Sequence, residues 1–312
     1  MKNNIIQTTG GSLYQEDIDR IYSVICDVFS CKKKDIGELK PLQKGLTNSI
    51  LSFVYHGGQY VYRYPGNGSE ILVDRGREAM IQEQVSNAGI DGSLVAMSIK
   101  EGWRIGRFIK NDFYDYHNLN HVVRGIKLVK KLHNVPVKIR YEFDVIDKLE
   151  SIKNMIPKEK YGDNFPEYPL FSEIKERVYK LYDLTKDDGT KKCIVHGDCR
   201  DENFLINDNE IYLIDWEYSG YGDPGFDIGS YIAGGHHTIE DIENILFIYF
   251  GRTITSKERM HFYAWIAISG FFYMHWCMFK ESKGQKVGDL KSLWYYYANN
   301  FSEIALKMYG GK

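Results

Sequence analysis

The sequence predicts an α+β fold in two lobes, a small N-terminal lobe with an antiparallel β-sheet and a larger, mostly helical C-terminal lobe. Two observations lead to this prediction. In the first 112 residues, β-prone runs are separated by short turn signals, as in strands that pair with their chain neighbours. From residue 113 onward, apolar residues recur mostly at helical spacing. We therefore expect an N-terminal lobe over 1–112 and a C-terminal lobe over 113–312, and this length suits a large core.

The elements of the N-terminal lobe follow from periodicity and from the positions of glycines. Gly57-Gly58 separates two β-prone runs, and a two-residue glycine connection is a hairpin signal. Gly89 follows a helical run and favours a helix end there. The predicted elements are a helix over 16–30, strands over 50–56 and 59–64, a helix over 74–88, and strands over 92–98 and 103–109.

One stretch of the C-terminal lobe carries chemistry. It contains His196-Gly197-Asp198, then Asn203, and then Asp215. Residues 203–206 and 211–214 are apolar and β-prone, and 207–210 between them is a turn signal. A hairpin there brings Asn203 and Asp215 to the same end, and their amide and carboxylate oxygens suit Mg²⁺. An ordinary surface hairpin with solvated carboxylates is the alternative.

This stretch and its continuation resemble a known superfamily. The continuation is Ile214-Asp215-Trp216-Glu217-Tyr218, then Gly222-Asp223-Pro224, then Asp227. With His196-Gly197-Asp198 and Asn203, it resembles the aminoglycoside phosphotransferase and choline kinase superfamily, and within it the bacterial LicA-like choline kinases. The resemblance runs from about Leu42 to Tyr297. It implies a bilobal protein-kinase-like fold and transfer of a phosphoryl group from ATP, with Mg²⁺, to the hydroxyl of choline, giving phosphocholine.

The resemblance also implies roles for individual residues of this stretch. Asp198 is expected to orient the substrate hydroxyl and accept its proton, while Asn203 and Asp215 hold Mg²⁺. Glu217 is expected to assist a second metal ion or the cation of the substrate. His196 and Asp227 are expected to brace the catalytic loop.

In the N-terminal lobe the resemblance implies a nucleotide site. Its expected residues are Thr47, Asn48, Ser49, Arg63, Glu78, Phe108 and Ile109. The small polar loop that ends at Ser49 can offer backbone N–H groups to phosphate oxygens. Arg63 is expected to bind the α- and β-phosphates and to pair with Glu78, and the segment at 108–109 to contact adenine. Two alternatives stay open: Arg63 as a solvated strand charge, and Glu83 in place of Glu78.

The substrate site is expected among the aromatic residues of the C-terminal lobe. A quaternary ammonium has no N–H to donate, so aromatic ring faces beside a carboxylate hold it best. The resemblance places this cage at Tyr273, Trp276 and Tyr297, and Trp216 and Tyr218 beside the hairpin could close it. The alternative is that the aromatic stripes belong to the core.

Two departures from choline kinases leave the substrate open. Gly197 stands where choline kinases often have Asn, and Tyr273 where they often have Trp. An aminoglycoside, ethanolamine or other small amino-alcohol kinase is therefore an alternative, with the acidic residues of 158–190 lining its site. A non-catalytic sensor of choline or nucleotide is a further alternative, against which the intact Asp198, Asn203 and Asp215 argue.

Composition narrows the class of protein and its location. The chain has 40 basic and 42 acidic residues, so a nucleic-acid partner is not indicated. Its five cysteines form no CxxC pair and are typical of reduced thiols in the cytosol. The apolar stretch 261–280 contains two histidines and Ser269, which favours a buried helix over a membrane span. We expect a cytoplasmic monomer or homodimer that binds a small-molecule substrate and does not insert into membranes.

Overall fold

The computed structural model describes residues 5–8, 11–42, 49–64, 75–138, 141–162 and 168–310. The chain forms two compact units, Met1–Asp112 and Phe113–Lys312. The first is mainly a β-sheet with two helices, and the second is mainly helical with short strands. The predicted α+β class is confirmed.

The first unit is organised around an antiparallel sheet. Its elements are β1 (Ile6–Thr8), β2 (Gly11–Leu13), α1 (Gln15–Phe29), β3 (Lys40–Pro41), β4 (Ser49–Tyr55), β5 (Gly58–Tyr64), α2 (Arg75–Asn87), β6 (Leu94–Met97) and β7 (Arg104–Arg107). Within the described ranges the strand order of the main sheet is β3–β4–β5–β7–β6, and β1 pairs with β2. Ile21 and Ile25 of α1 share a buried core with Leu51, Phe53 and Ile105 of the sheet. The amphipathic helix therefore covers one sheet face.

The β4–β5 hairpin turns one residue earlier than the sequence predicts. Its two central residues are His56 and Gly57, with φ of 46° and 78°, and Tyr55 lies opposite Gly58. Two-residue hairpin turns favour positive φ because this matches the twist of the flanking strands. Histidine adopts positive φ more readily than most non-glycine residues. Gly58 therefore belongs to β5 and not to the turn.

The second unit is organised around one long helix. Its elements are α3 (Leu119–His133), α4 (Val145–Lys153), α5 (Phe171–Lys186), β8 (Cys193–Val195), β9 (Phe204–Ile206), β10 (Ile211–Leu213), β11 (Gly220–Gly222), α6 (Pro224–Ala233), α7 (Ile239–Phe250), α8 (Ser256–Ser282) and α9 (Leu290–Met308). Helix α8 packs against α4, α5, α6 and α9. A Cβ at Gly229 of α6 would lie 2.4 Å from the Trp265 carbonyl oxygen, so glycine permits the close α6–α8 contact.

The stretch 261–280 lies inside α8, and most of its side chains are buried. Across the part of the chain that the structure describes, no helix combines the length and apolar character needed to cross a bilayer. The strand pairs β8–β11 and β9–β10 flank the loop 196–203. This loop carries Asp198.

A buried histidine joins α8 to the start of α6. His261 is 1% exposed; its Nδ1 bonds the Asp188 carboxylate, and its Nε2 lies 2.9 Å from Oδ1 of Asp223. Asp223 also caps α6, because its Oδ1 accepts from the Gly225 N–H at 2.8 Å. Burial alone would lower the pKa of His261, but the two carboxylates raise it to about 9. A cavity of about 340 Å³ adjoins Asp188 and His261, and none of the predicted site residues lines it.

We expect His261 to stabilise the fold fully below about pH 6.5 and to lose this contribution as the pH rises through about 9. Its pKa in the folded state lies above the ordinary value, so the folded state binds the proton more tightly, by about 3 kcal/mol. Urea unfolding between about pH 6 and pH 10 measures the effect. The free energy of unfolding of the wild type should fall more steeply than that of His261→Gln. Parallel pH profiles of the two proteins would show that His261 carries no charge in the fold.

Candidate active site

The loop 196–203 is anchored by one buried carboxylate of α6. Asp227 is fully buried and accepts from the backbone N–H of His196 at 2.7 Å and of Gly197 at 2.9 Å. Its Oδ2 also lies 3.0 Å from Nε2 of His133 on α3. Hydrogen bonds to a charged acceptor are stronger than neutral ones. Asp227 therefore fixes the main chain immediately before Asp198, which is the bracing role expected from the sequence.

His196 connects the same loop to the end of β10. Its Nε2 lies 2.8 Å from the carbonyl oxygen of Ile214, and its Nδ1 accepts from the Asp198 N–H at 3.3 Å. This network places the ring proton on Nε2. The ring is fully buried and packs at 4.7 Å against Trp216. Both nitrogens have structural partners, so His196 ties the main chain at Asp198 to the end of β10.

Gly197 is required by the backbone path of the loop. Its φ is +82°, and a Cβ there would lie 2.5 Å from the carbonyl oxygen of Tyr218. An L-residue at this position would therefore meet both backbone strain and a clash with main-chain atoms. The departure from Asn at this position has a local structural reason in this chain.

Among the residues that the structure describes, three side chains donate to the carboxylate of Asp198. Its Oδ1 accepts from Nε of Arg200 at 2.9 Å and from the Tyr273 hydroxyl at 3.0 Å. Its Oδ2 accepts from Nδ2 of Asn203 at 3.1 Å. Burial alone would raise the pKa of Asp198, but Arg200, with a smaller contribution from Tyr273, holds it below its usual range. Asp198 is therefore a carboxylate at neutral pH.

Asn203 and Asp215 are brought together by the predicted hairpin. Strands β9 and β10 pair with Phe204 opposite Leu213, and the Ile214 N–H donates to the carbonyl oxygen of Asn203 at 3.0 Å. The amide nitrogen of Asn203 bonds both the carbonyl and the carboxylate of Asp198, at 2.7 and 3.1 Å. Its Oδ1 consequently points away from Asp198. Asp215 follows with φ of +71°, a conformation uncommon outside glycine.

Three carboxylates lie around Tyr218. Burial raises the pKa of this tyrosine, and the charges of Glu217, Asp198 and Asp215 raise it further. Glu217 is 9% exposed. The carboxylates of Glu217, Asp198 and Asp215 are therefore close enough to Tyr218 to oppose its ionisation.

The oxygens at this end of the hairpin fit Mg²⁺. Asn203 Oδ1 and the Asp215 carboxylate are hard donors, and Mg²⁺ takes few protein ligands when phosphate and water complete its shell. Among the described residues no three His, Cys, Asp or Glu side chains form a metal-binding group. The predicted ligands Asn203, Asp215 and Glu217 include only two residues of these types, so all three stay predictions.

An aromatic cluster adjoins Asp198. The Tyr273 ring stacks on Trp294 at 4.8 Å, and Trp276 meets Trp294 edge-on at 6.0 Å. Tyr273 and Trp294 are 3% and 0% exposed, so both rings are covered as fully as Tyr297, and the sequence prediction of the cage did not name Trp294. The available signal was its position three residues before Tyr297 on α9, which puts both on one helix face.

Two predicted cage residues pack in the interior instead. Trp216 is fully buried against His196. Tyr297 is 1% exposed; its hydroxyl donates to the carbonyl oxygen of Gly235 at 2.7 Å and accepts from the His237 N–H at 3.0 Å. The structure does not bring these two rings to an accessible cage. For them the core alternative describes the structure.

In the first unit, Arg63 and Glu78 form an ion pair. Arg63 of β5 and Glu78 of α2 are 2.5 Å apart, with side chains 11% and 0% exposed. Glu83 lies on the exposed side of α2. The structure therefore pairs Arg63 with Glu78, and Arg63 is not a solvated strand charge.

The other predicted nucleotide residues have different surroundings. Thr47 and Asn48 lie outside the described residues. Ser49 begins β4, is 2% exposed, and its hydroxyl lies 2.6 Å from that of Thr8. Phe108 and Ile109 follow β7, and the Phe108 N–H donates to the carbonyl oxygen of Gln59 at 2.9 Å.

A buried polar network that sequence reasoning missed supports α2. Asp91 accepts from Arg104 of β7 at 2.8 Å and from Gln82 of α2 at 2.8 Å. Burial alone would raise the pKa of Asp91, but Arg104 and the Ser93 donors lower it. Because Gln82 lies one helical turn after Glu78, this network fixes the helix that carries Glu78.

Structural comparison agrees with this architecture. The crystal structure of the choline kinase LicA from Streptococcus pneumoniae superposes with a TM-score of 0.75 and 20% identity, over 93% of this chain and 100% of that chain. Identity this low shows the shared fold. The kinase-like fold and the match of residues 39–263 to the choline/ethanolamine kinase family model together define a phosphotransferase that acts on an alcohol group.

The family follows from sequence comparison. The choline/ethanolamine kinase family model matches residues 39–263, so the chain belongs to this family. Protein LicA of Haemophilus influenzae is 25% identical over 262 residues, which cover 78% of this chain and 74% of that protein. A probable ethanolamine kinase of Arabidopsis thaliana is 24% identical over 235 residues, which cover 69% of this chain and 61% of that protein.

Replacing Gly197 by Ala is expected to destabilise the protein by about 3 kcal/mol and to reduce activity strongly, because strain and a main-chain clash act together. The matched control is Gly189→Ala. Gly189 has φ of +81°, and a Cβ there meets nothing within 4 Å, so it isolates the strain at about 1 kcal/mol. Thermal unfolding and turnover of both variants measure the difference. Equal losses would mean that Tyr218 does not restrict position 197.

Proposed function

We propose that the protein transfers the γ-phosphoryl group of ATP to the hydroxyl of choline and forms phosphocholine. The observation that carries this proposal is the contact between Asp198 and the Tyr273 hydroxyl. It puts an ionised carboxylate beside stacked aromatic rings. A quaternary ammonium is attracted by ring faces, and an alcohol needs a carboxylate to orient it.

The catalytic step we propose uses Asp198 as the group that orients the alcohol. The hydroxyl donates to the Asp198 carboxylate and transfers its proton there as the alcohol oxygen bonds to the γ-phosphorus and the bond to ADP breaks. Asn203 and His196 hold Asp198 in place through its carboxylate and its N–H. Positioning of this kind accounts for much of catalysis in phosphoryl transfer.

Two groups of residues would compensate the negative charges of the ATP phosphates. Asn203 Oδ1 and Asp215 would hold Mg²⁺, which neutralises phosphate oxygens when bound. Arg63, fixed by Glu78, would bind the α- and β-phosphates, since a guanidinium pairs well with phosphate oxygens. Phe108 and Ile109 would contact adenine, and Thr47 and Asn48 the phosphates. A cytoplasmic location, where ATP and reduced thiols occur, belongs to this proposal.

The acidic residues of 158–190 leave an aminoglycoside site as an alternative, and two of them, Asp163 and Glu167, lie outside the described residues. Glu159, Glu173 and Asp187 are exposed, and Asp188 is engaged by His261. Ethanolamine stays the second candidate, because the buried Glu217 carboxylate beside Tyr218 could accept from a primary ammonium.

Glu78→Gln is expected to raise the KM for ATP about tenfold and to lower the free energy of unfolding by about 3 kcal/mol, because buried Arg63 loses the charge of its partner. Glu83→Gln, on the exposed face of the same helix, should change neither quantity. Steady-state kinetics and urea unfolding measure both. Indistinguishable KM values for the two variants would remove Arg63 and Glu78 from the nucleotide site.

Choline-dependent ADP release from Mg-ATP is the direct test of the proposed reaction. Ethanolamine and a kanamycin-type aminoglycoside are compared at equal concentration. Asp198→Asn should lower kcat at least about 10³-fold, because loss of a positioned proton acceptor typically costs this much. Asp208→Asn, an exposed carboxylate at the turn of the same hairpin, should retain activity. Turnover with ethanolamine or the aminoglycoside alone would reject choline and keep the reaction type.

A further inference from the structure

Arg200 covers the aromatic cluster beside Asp198. Its side chain is 13% exposed, and its guanidinium carbon lies 5.4 Å from the ring centre of Tyr273 and 5.8 Å from that of Trp294. Its Nε donates to Oδ1 of Asp198 at 2.9 Å. Arg200 thus contacts the same ring faces and the same carboxylate that the proposed function assigns to the substrate.

Arg200 and the ammonium group of a substrate compete for the same position. A quaternary ammonium is stabilised by the same ring faces as a guanidinium. Where water is largely excluded, two positive charges a few ångströms apart repel strongly. Substrate binding therefore requires that Arg200 leave the rings.

A second carboxylate already holds Arg200. Its terminal nitrogen donates to Oε2 of Glu202 at 3.2 Å, and the Glu202 side chain is 69% exposed. Release of Arg200 from Asp198 while this bond to Glu202 is kept carries the guanidinium outward. It also vacates one donor position on Oδ1 of Asp198, which the substrate hydroxyl can then use.

We propose that Arg200 is a resident cation of the substrate site, which holds Asp198 and covers Tyr273 and Trp294 until the ammonium group of the substrate displaces it toward Glu202. The inference rests on the proposed function for the class of substrate. It makes Arg200 a determinant of selectivity, because a ligand without a positive charge cannot replace its contacts.

The test measures binding of tetramethylammonium, a quaternary ammonium without a hydroxyl, by tryptophan fluorescence. Arg200→Gln is expected to bind it about tenfold more tightly than the wild type, since no internal cation competes. The matched control is Arg177→Gln. Arg177 is 19% exposed and also contacts α9, but through Ser302 and Asn299. Unchanged or weaker binding by Arg200→Gln overturns the proposal, as does an equal gain in Arg177→Gln.

A second measurement uses the wild-type protein and does not depend on the folding of a variant. Phenylglyoxal labelling of arginines is followed by mass spectrometry with and without tetramethylammonium. Displacement predicts that the ligand speeds labelling of Arg200 several-fold and leaves Arg177 unchanged. Protection of Arg200, or no change, overturns the proposal.

The two proposals can fail separately. Tighter binding of tetramethylammonium by Arg200→Gln without choline turnover would reject choline as the substrate. It would still support displacement of Arg200 by a quaternary ammonium. Choline turnover without this gain in binding would keep the reaction and reject the role of Arg200.

Discussion

The Asp227 carboxylate is the constraint on which the site depends. It lies in a fully buried position and receives two consecutive backbone N–H groups of the loop together with His133. Removing one partner from such a buried charge is costly, because the charge then lacks compensation. If the loop shifted, Asp227 would lose the two N–H donors and its buried charge would be left uncompensated. Because Asp198 directly follows the two anchored residues, this anchor also fixes its main-chain position.

Neighbouring opposite charges explain why ionised groups are stable in the buried parts of this unit. Asp198 is balanced by Arg200 and fixed by neutral donors from Asn203 and Tyr273. His261 is balanced by Asp188 and by Asp223, the N-cap residue of α6. In both cases, opposite charges outweigh the effect of burial on the pKa. Helix α6 thus links two compensated clusters through Asp223 at its N-terminus and Asp227 in its first turn.

Much of the fold could be predicted because its signals are local. The turn at 207–210 between two apolar runs defines the hairpin that joins Asn203 to Ile214, and helical spacing defines α1 and α2 within one or two residues. The one-residue error at His56-Gly57 arose because glycine is permissive, so two adjacent glycines do not identify which positions need positive φ.

Long-range partners could not be predicted from one sequence. Helical spacing shows that Trp294 and Tyr297 share a face, but not which of them meets Tyr273. The contact of Ser49 with Thr8 and the Asp91–Arg104 pair depend on the sheet register and on tertiary packing. Nor does the sequence indicate that Arg200 lies over rings that are 73 and 94 positions further along the chain.

The Asp227 anchor acts on the main chain and does not depend on the side chains of Arg200 and Asn203, which hold the Asp198 carboxylate itself. Asp227 contacts backbone N–H groups, which every residue except proline possesses. A substitution at position 200 would remove one donor from the Asp198 carboxylate and leave the main-chain anchor in place. Such a change alters the surroundings of Asp198 without loosening the loop.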